Sequence, residues 1–176
     1  MSNSIVVSDA GPLMALAKLN ALDLLAKLYP VVYASPIVYD ETVTQGFAQN
    51  ASDAPLLENY FDHGFLVVKP IASPPTLQEP IKIQDGERES IQLAIQLDAT
   101  EFLIDDSRAR RVAEINFATA GLSIVARGTL GIIYLSFQRG YLNREQTIQL
   151  LESIKTRRDI WIHAKLCDKV LRLIRI

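Results

Sequence analysis

Phe102-Leu103-Ile104-Asp105-Asp106 is an apolar run closed by two carboxylates, and Arg108, Arg110 and Arg111 follow in a helix-forming stretch. The run reads as a buried strand. An acid at the exit of such a strand is poor core material, because burying an unpaired carboxylate is costly or forces its pKa upward. Alternation along the strand puts Asp106 on the side of Ile104 and Asp105 on the other.

Working outward, the same pattern recurs near the start, where Ile5-Val6-Val7-Ser8 runs into Asp9. Gly11-Pro12 then breaks the run, and Pro12 suits the first turn of a helix reaching Leu19. Val31-Val32-Tyr33 reads as a second strand. Ser35-Pro36 is a helix start, a hydroxyl cap followed by proline at the first helical position. Glu41 lies four residues after Ile37 and three after Val38, so it shares their apolar face, whereas Asp40 is rotated about 100° away. Gly46 is expected to end that helix, and Ser52 or Asp53 to cap the next one.

Phe65–Val68 reads as a third strand and Pro70–Pro80 as a proline-studded loop. Gly86 and Glu87 open a helix that runs to Leu97. Glu87 stands four residues before the apolar Ile91, and Glu89 sits nearer the margin of that face. Leu122–Val125 reads as a further buried strand, and Gly128-Thr129 leads into a helix that Gly140 closes. Asn143 caps a helix to about Thr156. The final helix is amphipathic, with Cys167, Val170, Leu171 and Ile174 on one side and Lys165, Lys169, Arg172 and Arg175 on the others.

Strand-then-helix alternation predicts parallel strands covered by helices on both faces, with ligands gathering at the carboxyl ends of the strands. The 176 residues suit one domain, and 49% hydrophobic with 22% charged residues is ordinary globular composition. The formal charge of −2 gives no global positive field of the kind that holds nucleic acid by charge alone. One cysteine, Cys167, excludes an internal disulfide and a multi-cysteine zinc site. No secretory leader is legible at Met1-Ser2-Asn3-Ser4, and no apolar run approaches the roughly 20 residues of a membrane span. A cytoplasmic location is expected, with no membrane partner.

Acids without histidine or cysteine partners suit hard cations, Mg2+ or Mn2+ rather than zinc. His63 and His163 stand in no ligand spacing. There is no nucleophile elbow and no glycine-rich phosphate loop. An acidic cluster holding one or two such ions suits phosphodiester hydrolysis. A phosphatase using Asp9 as nucleophile is a weaker reading, since no Asp-x-Asp pattern follows the first strand.

Five blocks carry a resemblance. Val6-Val7-Ser8-Asp9, Ser35-Pro36-Ile37-Val38-Tyr39-Asp40-Glu41, Gly86-Glu87-Arg88-Glu89, Leu103-Ile104-Asp105-Asp106 and Gly128-Thr129-Leu130-Gly131 are similar, in order, to the blocks of PIN-domain proteins. The likeness is to a prokaryotic branch related to VapC toxins and covers about residues 4–140. It implies a three-layer α/β/α sandwich with a central parallel sheet in residues 1–140. Residues 141–176 are expected to be a C-terminal helical extension packed on the same domain. It further implies a Mg2+- or Mn2+-dependent endoribonuclease with Asp9, Glu41, Glu87 and Asp106 as catalytic metal ligands. Glu89, Asp105 and Thr129 take secondary places. RNA is the implied substrate, a small antitoxin an implied partner, and a homodimer is left open. The chain departs from the pattern after Asp9, where Ala10-Gly11 offers no supporting hydroxyl. That departure motivates the alternative, a non-catalytic PIN-like module binding RNA or protein.

Overall fold

The structure is a computed structural model and describes residues 4–175; the side chain of Arg175, with residues 1–3 and 176, lies outside the described residues. Five short strands, β1 (Val6–Ser8), β2 (Val32–Ala34), β3 (Leu66–Val68), β4 (Glu101–Leu103) and β5 (Val125–Arg127), pair in the order β3-β2-β1-β4-β5. Every pairing is parallel, with Val7 opposite both Tyr33 and Phe102 and with Leu103 opposite Arg127. The chain thus fills one side of β1 first and then crosses to the other. The switch falls between β1 and β4, where an open parallel sheet has its natural crevice.

Side-chain alternation divides the interior in two. Val6 and Leu103 join a core with Leu13, Leu16, Ile132 and Leu151, whereas Val7, Phe102 and Ile104 join a second with Ile91, Leu93, Val112 and Phe117. The first core is covered by α1 (Ala10–Lys18), α2 (Asp23–Leu28), α5 (Ala54–Asp62), α8 (Thr129–Gln138), α9 (Arg144–Thr156) and α10 (Ala164–Arg175). The second is covered by α6 (Asp85–Gln96) and α7 (Ser107–Thr119). This is the expected three-layer arrangement. Helix α10 seats Cys167, Leu171 and Ile174 in the first core, so the cysteine is an apolar filler.

Three local expectations fail. The helix from Pro36 does not stop at Gly46. It runs as α3 (Pro36–Tyr39), a π turn (Asp40–Thr44) and α4 (Gln45–Ala48), with Gly46 buried inside. A Cβ at Gly46 would stand 2.8 Å from the Ala54 Cβ, so glycine is there to let α4 approach α5. Asp53 occupies the cap position of α5 but makes no cap bond, and it is buried with both carboxylate oxygens unpartnered. Finally, β5 begins at Val125. Gly121, at φ +70°, and the Leu122 N–H bond to the Phe117 carbonyl close the preceding helix and use up the start of the expected strand. Val125 is half exposed, because β5 is an edge and not a buried strand.

Candidate active site

Asp9 leaves β1 directly, its N–H held by the Leu103 carbonyl at 2.9 Å, so the first acid is fixed to the neighbouring strand's exit. Its side chain is buried. Burial and the nearby charges of Glu87 and Glu41 push its pKa up to about 7, while the Ala10 and Gly11 N–H groups draw it part of the way back. Ser90, fully buried on α6, directs its hydroxyl at Asp9 Oδ1 over a long 3.5 Å. Ser90 has no counterpart in the sequence reading. Its only signal was its place three residues after Glu87 on the same helical face. It supplies from α6 the hydroxyl that Gly11 lacks.

The chain does not need glycine at position 11 for space. A Cβ there would lie 3.6 Å from Asp105 Cβ and 3.9 Å from Asp9 Oδ2, both ordinary contacts.

Asp106 follows β4 and caps α7, its Oδ1 accepting from the N–H groups of Arg108 and Ala109 at 2.8 and 2.9 Å. Its other oxygen takes no part in the cap. Glu87 behaves alike. One oxygen accepts from the Gln84 N–H at 2.8 Å, closing the start of α6. Burial, opposed by that bond, and the charge of Asp106 raise its pKa.

Glu41 enters from the π turn, a helical irregularity that inserts an extra residue and is frequent at functional sites. Burial first, then Glu87, raises its pKa. Its carboxylate lies across the start of α6, where a Cβ on Gly86 would come within 2.6 Å of Oε1 and 2.8 Å of Oε2. Gly86→Ala is therefore expected to push Glu41 aside. Stability by urea denaturation should stay within about 1 kcal/mol, since the collision meets only a flexible side-chain end and alanine favours the helix. Mn2+ affinity by calorimetry should fall about 10–100-fold. Unchanged affinity would remove Glu41 from the site.

The three expected secondary members each make a hydrogen bond of their own. Glu89 Oε2 accepts from the Ile37 N–H at 3.2 Å, which ties α6 to the first turn of α3. Asp105 accepts from both the N–H and the hydroxyl of Thr129, at 2.7 and 2.6 Å, and so holds the start of α8. Thr129 is fully buried within that clasp. Alternation along β4 holds here, with Asp106 facing Glu87 and Asp105 turned towards α8.

None of Asp9, Glu41, Glu87 and Asp106 forms an ion pair among the described residues. The charge of Arg88 near Glu87 offsets only part of their mutual repulsion. Among the described residues, no three such acids close around one point to enclose an ion by themselves. The donor set is all-oxygen and partly spent on caps. It fits a hard divalent ion that keeps several waters and takes one or two carboxylates, as Mg2+ does, and it does not fit a zinc cage.

A family model described as a PIN domain matches residues 5–175. The chain belongs to the PIN-domain family. The match continues through α9 and α10, beyond the five sequence blocks. No curated protein and no solved structure matches this PIN domain. PIN domains are in general nucleases that use divalent metals, so a nuclease-type hydrolase is the coarse function of the fold. No helix among the described residues is long and apolar enough to cross a membrane.

Proposed function

We propose that this PIN domain is a Mg2+- or Mn2+-dependent endoribonuclease, with Asp9, Glu41, Glu87 and Asp106 as its metal-holding acids. The observation that supports the reading is the placement of acids from four separate elements near the β1–β4 switch, where burial and the charges of Glu87 and Glu41 drive Asp9 up to about 7 and the charge of Asp106 helps raise Glu87. Such an arrangement destabilises the folded chain unless a cation offsets it. A bound divalent ion supplies charge for the scissile phosphate and makes a water more acidic.

The chain's own part is positional. Asp9 and Asp106, at the ends of adjacent strands, set the span of the hollow. Glu87 keeps one oxygen free beside Asp106, and Glu41 covers the far rim. Ser90 steadies the Asp9 carboxylate. Within this reading the protein is the toxin of a toxin–antitoxin pair in the cytoplasm, with a small antitoxin as partner and a second copy of the chain as a further contact.

Purified protein is expected to cut single-stranded RNA in Mg2+ or Mn2+ and to stop on chelation. Asp106→Asn should cost at least about 100-fold in rate. Asparagine also caps helices well, so α7 should remain intact and circular dichroism unchanged. Full-rate cutting by that variant would sink the assignment. The second reading, a non-catalytic module, draws support from the absence of three converging acids among the described residues and from Ala10-Gly11. Calorimetry without any Mn2+ binding at millimolar ion would favour it.

A further inference from the structure

Trp161 is the sole tryptophan and is 94% exposed, the largest kind of apolar side chain left almost wholly in water. The stretch that carries it is anchored. Arg157 donates to both oxygens of Asp159 at 2.9 and 2.7 Å, and its Nη1 donates to the Lys18 carbonyl at 2.9 Å. Lys18 Nζ donates back to the Asp159 carbonyl at 3.0 Å, and Ile160 is buried. The ring is therefore held outward by a loop fastened to the end of α1, with no packing that would account for its exposure.

Two hollows meet at this ring. One, of about 600 Å3, reaches Asp106, Arg110 and His163; the other, of about 230 Å3, reaches Gly11, Lys18 and Asp105. The larger falls within the ~300–1,000 Å3 range of ligand pockets. Both open towards the strand ends that carry the acids. Arg110 donates to the neutral carbonyls of Ala126 and Ile104, at 3.1 and 3.0 Å, and Lys18 also ends on a carbonyl. Arg110 also stands beside Asp105, and Lys18 beside Asp159, so a carboxylate offsets part of each charge along the walls.

We propose that Trp161 is a positioning residue on which a base of single-stranded RNA stacks, the strand running through the larger cleft from Trp161 to Asp106. This rests on the ribonuclease reading and adds a strand requirement to it. An exposed aromatic face accepts any unpaired base, and flanking cations follow the backbone. Bases already stacked within a duplex offer the ring no free face. A peptide has less call on a lone outward ring bordered by cations and leading into a phosphodiester-cleaving site.

The test uses the full chain in chelator, so that nothing is cut. Because Trp161 is the only tryptophan, intrinsic fluorescence reports on that ring alone. Single-stranded oligouridylate and oligoadenylate are expected to quench it on binding, and their duplex to leave it unchanged. Trp161→Ala should weaken binding of the labelled single strands about tenfold by anisotropy, and Trp161→Phe should restore most of it. Failure of the single strands to bind, binding without quenching, or Trp161→Ala binding as tightly as wild type would overturn the proposal. Shielding of the ring by a protein partner while RNA leaves it untouched would do the same. Cutting in Mn2+ without quenching would sink this inference alone, whereas quenching without cutting would sink the nuclease reading alone.

Discussion

Asp9→Asn is expected to abolish cutting, by at least about 100-fold, and at the same time to stabilise the metal-free protein above neutral pH. The two effects have opposite signs because one carboxylate serves both. Folding raises the Asp9 pKa from 3.8 to about 7. Between those values the unfolded chain has released its proton while the folded chain still holds one. Stability is therefore full below about pH 4, falls as pH rises towards about 7, and is level beyond. Three pKa units correspond to about 4 kcal/mol, an upper bound for a group with acidic neighbours. Urea denaturation in chelator across pH 4–8 should show that decline in wild type and lose most of it in Asp9→Asn. Glu41 and Glu87, also raised, leave a residual slope of the same sign. Saturating Mn2+ should flatten the wild-type profile by favouring the carboxylate form. A profile that rises with pH in chelator, or the same profile in both proteins, would contradict the burial of a like-charged acid.

Asp105→Ala should damage the fold and spare the chemistry. The substitution strips the Thr129 N–H and hydroxyl of their acceptor in a residue with no exposure. It also frees the start of α8, which packs against α1, α2 and α9. Two bonds to a charged acceptor, and buried groups left without partners, amount to about 2–4 kcal/mol. The urea midpoint should drop accordingly with an unchanged m-value. Cutting per folded molecule should persist within about tenfold, since both Asp105 oxygens are engaged by Thr129. Loss of cutting at unchanged stability would return Asp105 to the acidic site.

Adjacent acids that look equivalent on the page thus have different employment. Their division between two faces was readable from strand alternation, as were the strand-exit positions of Asp9 and Asp106. The parallel three-layer fold followed from strand–helix alternation, and the inward turn of Glu41 from its spacing to Ile37 and Val38. What the chain did not reveal depends on partners far away in sequence. Glu89 is taken up by Ile37, 52 residues upstream, and Ser90 reaches Asp9 across 81. Gly46 signals a helix end in isolation, and only the proximity of Ala54 makes it an interior packing position. The start of β5 was misplaced because Leu122-Ser123-Ile124 has strand-like composition but follows a left-handed glycine that commits it to closing a helix.

Glu87 and Asp106 each give one oxygen to a helix terminus and keep the other. Both side chains thereby surrender their rotational freedom when the helices form, so little entropy is left to lose when a ligand arrives. Lengthening Asp106 to glutamate keeps the charge but withdraws it from the α7 terminus, and should harm both aim and helix. At these positions shape is as strict a requirement as charge.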